Sequence, residues 1–249
     1  MSAVVQLSRS TNVEDVVRGE IGEDPGSESV GSLIVFMLDA TIPSGFWFDY
    51  LNRIYGLVAM EDPRRDVRVM VSELAVKRQA KPDVREAEKS LTESMPELKR
   101  YKTVAVGGTF DRLHAGHRLL LAASALTATE RLIIGISGPE LLKRKKFADH
   151  IQSFAERSRG AEEFVLSVNP HITVEVTELK DASGPTRTRE NLDAIVVTKE
   201  TRRGADDINR LRTEEEGLHQ LEVVVVGLLY PADGTEKLSS TRFREYDVR

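Results

Sequence analysis

The chain contains no cysteine, which excludes disulfide staples, thiol nucleophiles and cysteine-ligated metal centres. No apolar run approaches the length needed to cross a bilayer. The first residues lack the apolar core of a secretion signal. Glu14, Asp15, Glu20, Glu23 and Asp24 also suit an organelle presequence poorly, so a cytoplasmic address is expected. An excess of positive charge is missing too: 35 Lys and Arg against 40 Asp and Glu give −5 with His neutral. A dedicated nucleic-acid binder usually carries a strongly basic face, so neither nucleic acid nor membrane is expected as a partner. Local basic runs at Lys143–Lys146 and Arg202–Arg203 leave room for small anions. What is present is an ordinary globular composition, 40% hydrophobic and 30% charged. Its 249 residues suffice for a catalytic domain with a smaller appendage.

Residues 1–30 hold few large apolar side chains, and GEDPGSESVG (22–31) is rich in acids and chain breakers, so a disordered tail is expected over 1–30. Residues 31–76 read as a small α/β unit: SLIVFML (32–38) as a strand, FWFDYLNRIYGLV (46–58) as an amphipathic helix, VRVMVSEL (67–74) as a second strand. Phe46, Trp47 and Phe48 belong to its core. Residues 77–100, highly charged and carrying Pro82 and Pro96, read as a helical linker. From Tyr101 the pattern becomes regular. TVAV (103–106), RLIIGIS (131–137), ITVEVTEL (172–179), DAIVVT (193–198) and LEVVVVGLL (221–229) suit strands, and HRLLLAASAL (117–126) and the segment 150–168 carry helical periodicity. That alternation predicts a catalytic domain over 101–249 with a Rossmann-like, doubly wound parallel α/β sheet, the N-terminal unit being its extension. Ligands in such sheets bind beyond the carboxyl ends of the strands, where strand order reverses.

The first strand of this domain runs into VGGTFDRLHAGH (106–117). Gly107 and Gly108 let the backbone turn tightly and approach a phosphate, and a helix starting near Ala115 aims its free N–H groups at the same place. His114 and His117 fall in the first turn of that helix, Gly116 between them leaves room for a ligand, and Thr109 adds a hydroxyl. Imidazole N–H groups placed there can stabilise charge growing on phosphoryl oxygens. An isolated His-x-x-His is equally a metal pair or a coincidence; its place after strand–Gly–Gly–Thr favours phosphate chemistry. KLSSTRFRE (237–245) supplies a second element. Ser239, Ser240 and Thr241 stand at a helix start, where hydroxyls and N–H groups can cap the helix or hold a triphosphate, and Arg244 shares a face with Ser240. Alone, the serines read as a cap and KRKK (143–146) as a solvated helix end; beside the histidines both gain a functional reading.

Together GTFDRLHAGH and KLSSTRFR resemble the signatures of the His-x-Gly-His nucleotidyltransferase superfamily. Within it the sequence is similar to phosphopantetheine adenylyltransferases of the eukaryotic and archaeal type. LLKRKKF (141–147), DASGPT (181–186) and VVTKETRRGADDIN (196–209) match that group in order over roughly 101–249. Ala182–Ser183 stands where Pro–Tyr is usual, and Lys199 where a small or acidic residue is usual. The resemblance implies transfer of AMP from ATP to 4′-phosphopantetheine, giving dephospho-CoA and pyrophosphate in coenzyme A synthesis. It implies His117 and Thr109 on the migrating phosphoryl group and Lys143, with Lys145 or Lys146 beside it, bridging the two reacting phosphates. Gly107, Gly108, Phe110 and His114 would surround the triphosphate, Arg203 the nucleotide, and Ser239, Ser240, Thr241 and Arg244 its β- and γ-phosphates. Mg²⁺ would arrive with ATP, with no dedicated metal ligands in the protein. Asp111 either orients the loop or serves the pantetheine arm; His150, His171 and His219 have no assigned role.

Other readings keep the chemistry and change the acceptor: a cytidylyltransferase, or an adenylyltransferase for nicotinamide or flavin mononucleotide. A class I aminoacyl-tRNA synthetase fragment would need a longer chain. A non-catalytic sensor of CoA or ATP is the alternative from another class, with residues 1–100 contacting a pathway enzyme; the other reading of that region packs it on the catalytic domain. No Gly-x-x-x-x-Gly-Lys-Ser/Thr loop occurs, so a fused dephospho-CoA kinase is not expected.

Overall fold

Valine and isoleucine runs of this kind need cover on both faces, which a parallel sheet flanked by helices supplies. The computed structural model describes residues 3–8, 11–22, 34–38, 47–62, 64–71, 99–229 and 238–248. Strands β1 (Ala3–Leu7), β2 (Ile34–Leu38) and β3 (Val67–Val71) form a three-stranded parallel sheet in that order. β4 (Tyr101–Gly108), β5 (Ala128–Ser137), β6 (Thr173–Leu179), β7 (Ala194–Thr198) and β8 (Glu222–Val226) form a five-stranded parallel sheet of order β6-β5-β4-β7-β8. The described helices are α1 (Val13–Gly22), α2 (Trp47–Glu61), α3 (Ala115–Thr127), α4 (Pro139–Leu142), α5 (Phe154–Val168), α6 (Arg202–Glu214) and α7 (Ser240–Val248). None is long and apolar enough to cross a membrane. The chain steps outward from β4 through β5 to β6, then returns past β4 to β7 and β8. Strand order therefore reverses between β4 and β7, and the crevice at their carboxyl ends is the expected ligand position of a doubly wound sheet.

Two apolar layers flank the large sheet. Ala105, Ile133, Ile195 and Val197 meet Ala205 and Ile208 of α6 on one face. Val104, Val106, Leu132 and Ile134 belong, with α3 and α5, to the core on the other face. Helix α3 is apolar on nearly every side because it is covered twice, by the sheet beneath and by α2 above, where Leu51, Ile54, Tyr55 and Val58 are buried. Both units thus share one continuous core, in line with the packing alternative for the N-terminal region.

One sequence expectation changes. The disordered tail over 1–30 contains β1 and α1, with Leu7, Val13 and Val17 fully buried. Those few side chains suffice because β1 pairs with a distant strand, Val5 with Phe36 and Leu7 with Leu38, a non-local partnership that composition cannot reveal. Most of the acidic stretch 22–31 and nearly all of the linker 77–100 lie outside the described residues, as does Phe46. Trp47 is buried as expected, and Phe48 packs against the core.

The shared core makes a prediction. Leu51→Ala should cost about 2–5 kcal/mol and shift a single unfolding transition of the whole chain. Fluorescence of Trp47, the sole tryptophan, should move together with far-ultraviolet circular dichroism. Two separated transitions would show that the units fold independently.

Candidate active site

Beyond β4 the backbone makes a constrained excursion. Phe110 and Arg112 adopt φ of 51° and 48°, a left-handed conformation unfavourable for residues with side chains. Their surroundings hold them there. The Phe110 ring folds over Gly108, where a Cβ would lie 2.9 Å from it. The Arg112 N–H donates to Gln152 Oε1 at 2.7 Å, and its guanidinium donates to Asp111, to the His150 carbonyl at 2.7 Å and to Asp247 at 2.6 Å. His114 then caps α3 in extended conformation, its carbonyl accepting from the Arg118 N–H at 3.0 Å. The His114 and His117 rings stack with centroids 3.9 Å apart and planes 22° apart. Phe110 stands edge-on to His117, and Phe243 of α7 lies 5.4 Å from His114. A Cβ on Gly116 would lie 3.2 Å from the His114 ring. Gly116 thus packs against His114 and, as the sequence suggested, also borders the open cleft.

Helix α7 is joined to this turn by a buried ion pair. Arg244 Nη1 donates to Asp111 Oδ2 at 2.6 Å, with both side chains essentially inaccessible. The same guanidinium donates to the Lys146 carbonyl at 3.3 and 3.1 Å and to Thr241 Oγ1 at 3.0 Å. Asp111 also accepts from the Gln152 N–H at 3.0 Å. Its loop-orienting reading is the one the contacts favour.

An open cleft of about 570 Å³ lies at the strand reversal. Gly108, Thr109, His114, His117, Ser137, Lys145, Thr198, Glu200, Thr201, Ser239, Ser240, Thr241 and Arg244 are among its walls. The two sequence signatures therefore face one another. Several predicted ligands fall elsewhere. Lys143 follows α4 on the surface, its ammonium donating to Glu140 at 2.6 Å; the turn after α4 returns Lys145 to the cleft instead. Lys146 contributes its carbonyl to Arg244 and does not line the cleft. Arg203 is exposed in the first turn of α6, while Thr198, Glu200 and Thr201 of the preceding loop line the wall. Gly107 points to the opposite sheet face, where a cavity of about 40 Å³ lies, as the alternation of a strand requires. Phe110 is buried beneath the histidines as support. Arg244 reaches the cleft wall with its donors engaged by protein groups, so it acts there as a brace.

Both ring nitrogens of His114 and Nδ1 of His117 are buried without hydrogen-bond partners. Burial holds the His117 imidazole down to about 4, with Arg118 and Lys145 adding to the effect and Asp111 opposing it. Burial, then His117 and Arg118, holds His114 well below the ordinary histidine range. Both imidazoles are neutral at pH 7. Sequence reasoning missed Arg157, which donates to the carbonyls of Gln152, Thr109 and Ser137 at 3.0, 2.9 and 3.0 Å and so ties the ends of β4 and β5. Nothing in its helical context distinguishes it from a surface arginine such as Arg159.

A parallel sheet with this reversal, two stacked histidines at one helix start and a Ser-Ser-Thr helix start facing them define a nucleotidyltransferase-type α/β domain. The chain belongs to the cytidylyltransferase-like family, whose model matches residues 105–246. It is 38% identical over 155 residues to a phosphopantetheine adenylyltransferase of Saccharomyces cerevisiae, covering 61% of this chain and 50% of the relative. It is 36% identical over 148 residues to an uncharacterized protein of Schizosaccharomyces pombe, covering 57% and 46%. A phosphopantetheine adenylyltransferase of Pyrococcus horikoshii is 40% identical over 147 residues, covering 59% of this chain and 90% of the relative. The chain thus spans about half the length of its two yeast relatives and most of the archaeal one.

Two measurements follow. Asp111→Ala leaves Arg244 charged and buried, and should cost about 3–5 kcal/mol in denaturant unfolding. The histidines set an acid limit. The unfolded chain takes up a proton near pH 6.5, whereas folded His117 takes it up only near 4. The unfolded state therefore binds more protons between those values, and stability falls as pH drops from about 6.5 toward 4. His117→Gln should flatten that slope in urea midpoints measured across the window; an unaltered slope would remove His117 as its source.

Proposed function

We propose that the protein transfers AMP from ATP to 4′-phosphopantetheine, forming dephospho-CoA and releasing pyrophosphate. The observation that carries the reading is the meeting, in one cleft at the strand reversal, of the stacked histidines, Lys145 and the Ser239–Thr241 helix start. The choice of ATP and phosphopantetheine is supported by relatives bearing the name phosphopantetheine adenylyltransferase at 36–40% identity. A cytoplasmic setting fits a chain acting on ATP.

An oxygen of the acceptor phosphate attacks the α-phosphorus while the bond to the bridging oxygen breaks, and pyrophosphate leaves with that electron pair. A phosphate monoester is already anionic near neutral pH, so the protein needs no strong base. Its task is alignment and charge stabilisation. His117 and Thr109 stand where the α-phosphoryl group would pass. The His117 N–H, bonded to the Arg112 backbone in this structure, would turn to donate to that group. The one N–H of neutral His114, on a ring with neither nitrogen paired, suits a phosphate oxygen as partner. Lys145 takes the bridging role expected of Lys143. The hydroxyls of Ser239, Ser240 and Thr241 and the free N–H groups of α7 receive the β- and γ-phosphates. Mg²⁺ would arrive with ATP and would offset part of the triphosphate charge.

Pyrophosphate release should require ATP with 4′-phosphopantetheine and give dephospho-CoA by mass. CTP with phosphocholine and ATP with nicotinamide mononucleotide should stay silent. His117→Ala should lower turnover about 10²–10³-fold with ATP affinity largely kept. Turnover of another pair would overturn the acceptor, and full activity in His117→Ala would overturn the assigned donor.

A further inference from the structure

The proposed reaction uses the cleft side of α3; the other side carries Arg118, which touches no substrate in that scheme. Arg118 is buried, and its Nη1 donates at 2.8 Å to the carbonyl of Leu113, the residue immediately before His114. Its Nη2 lies 3.3 Å from Asp66 Oδ1. Asp66 belongs to the N-terminal unit, at the entrance to β3. Its carbonyl accepts from the Ile34 N–H at 3.0 Å, so the three-stranded sheet fixes its place. Burial works against the charge of Arg118, and Asp66 is the strongest influence sustaining it.

The two-histidine turn depends on this support. Neither ring nitrogen of His114 has a hydrogen-bond partner, so the ring is oriented by its stacking on His117 and by the backbone at 113–114. A buried guanidinium deprived of its counter-charge relaxes toward water, and the Leu113 carbonyl would lose its donor. We propose that Asp66 is a positioning residue for the histidine pair, acting from the N-terminal unit through Arg118 and the Leu113 carbonyl. This assigns the N-terminal unit a part in turnover beyond its share of the core. A second tie runs the same way: Arg64 stacks over Phe243 at 5.1 Å, and Phe243 lies against His114.

The inference rests on the nucleotidyl transfer proposed above, and its test separates the two. On the full chain with Mg²⁺, ATP and 4′-phosphopantetheine, Asp66→Asn should lower kcat about 10- to 100-fold, the scale of a small misplacement of reacting groups. KM for ATP should stay within about twofold, and Asp66→Glu should recover part of the loss. Combining Asp66→Asn with Arg118→Lys should be no worse than Arg118→Lys alone. Glu61→Gln, which removes a surface partner of Arg18 in the same unit, should leave kcat unchanged. Wild-type kcat in folded Asp66→Asn, or additive effects in the double variant, would overturn the inference. A readout independent of activity uses the five histidines. Asp66→Asn should move the ring resonances of His114 and His117 and leave those of His150, His171 and His219 in place. Should the wild-type protein turn over none of the substrate pairs, the proposed reaction fails, and these resonances alone decide the positioning role: unmoved His114 and His117 signals reject it. If Asp66→Asn does not fold, Arg118→Lys, which keeps the charge but loses the forked donor, carries the same expectations.

Discussion

The buried Asp111–Arg244 pair holds two segments together that lie 133 residues apart in the chain. Each carries half of the residues proposed to face phosphate. An ion pair removed from water contributes little net stability compared with a well-packed apolar contact, because desolvation offsets most of the attraction. Its effect here is on geometry. Asp111 lies inside the left-handed turn that delivers His114, and Arg244 lies in the helix whose start presents Ser239–Thr241. Fixing one carboxylate against one guanidinium therefore fixes the width of the cleft. The Lys146 carbonyl, bonded to the same guanidinium, brings the Lys145 segment under the same constraint.

Neutral imidazoles suit this cleft. Stacked 3.9 Å apart, two imidazoles could not both carry a proton without strong repulsion. Burial removes that conflict by keeping both uncharged. A polyanion then meets N–H and O–H dipoles, a helix start and Lys145 in place of a dense cationic cluster. Under the proposed transfer, such a site would stabilise charge moving between phosphates.

Much of this was legible from the residues alone. Each strand expected after Tyr101 is present within a few positions, since valine and isoleucine runs separated by helical segments admit few arrangements other than a parallel sheet. The Gly–Gly–Thr and Ser–Ser–Thr segments do face one cleft. The failures concern direction and distance. Lys143 and Lys145 differ by two positions, and only the turn after α4 decides which reaches the cleft. Gly107 and Gly108 point to opposite sheet faces for the same kind of reason. β1 was invisible because its partner strand is remote in sequence. Gly116, read as leaving room for a ligand, lines the cleft, and the His114 ring packs close beside it.

The buried arginines act as braces around the site. Arg118, Arg157 and Arg244 are all buried, and each donates to backbone carbonyls around the site: Leu113, Thr109 and Ser137, and Lys146 respectively. Where a strand ends and the chain turns, carbonyl groups leave the sheet ladder and still need donors if they are buried. A guanidinium supplies five donors in a rigid fork and can satisfy carbonyls from two segments at once, which no water or hydroxyl does with the same rigidity. A loop-built site at the end of a parallel sheet thus gains stiffness from buried arginines. Their charges must then be answered by nearby carboxylates, Asp111 for Arg244 and Asp66 for Arg118. Because Asp66 comes from the N-terminal unit, the stiffness of the histidine turn depends on a part of the chain that carries none of the recognised signatures.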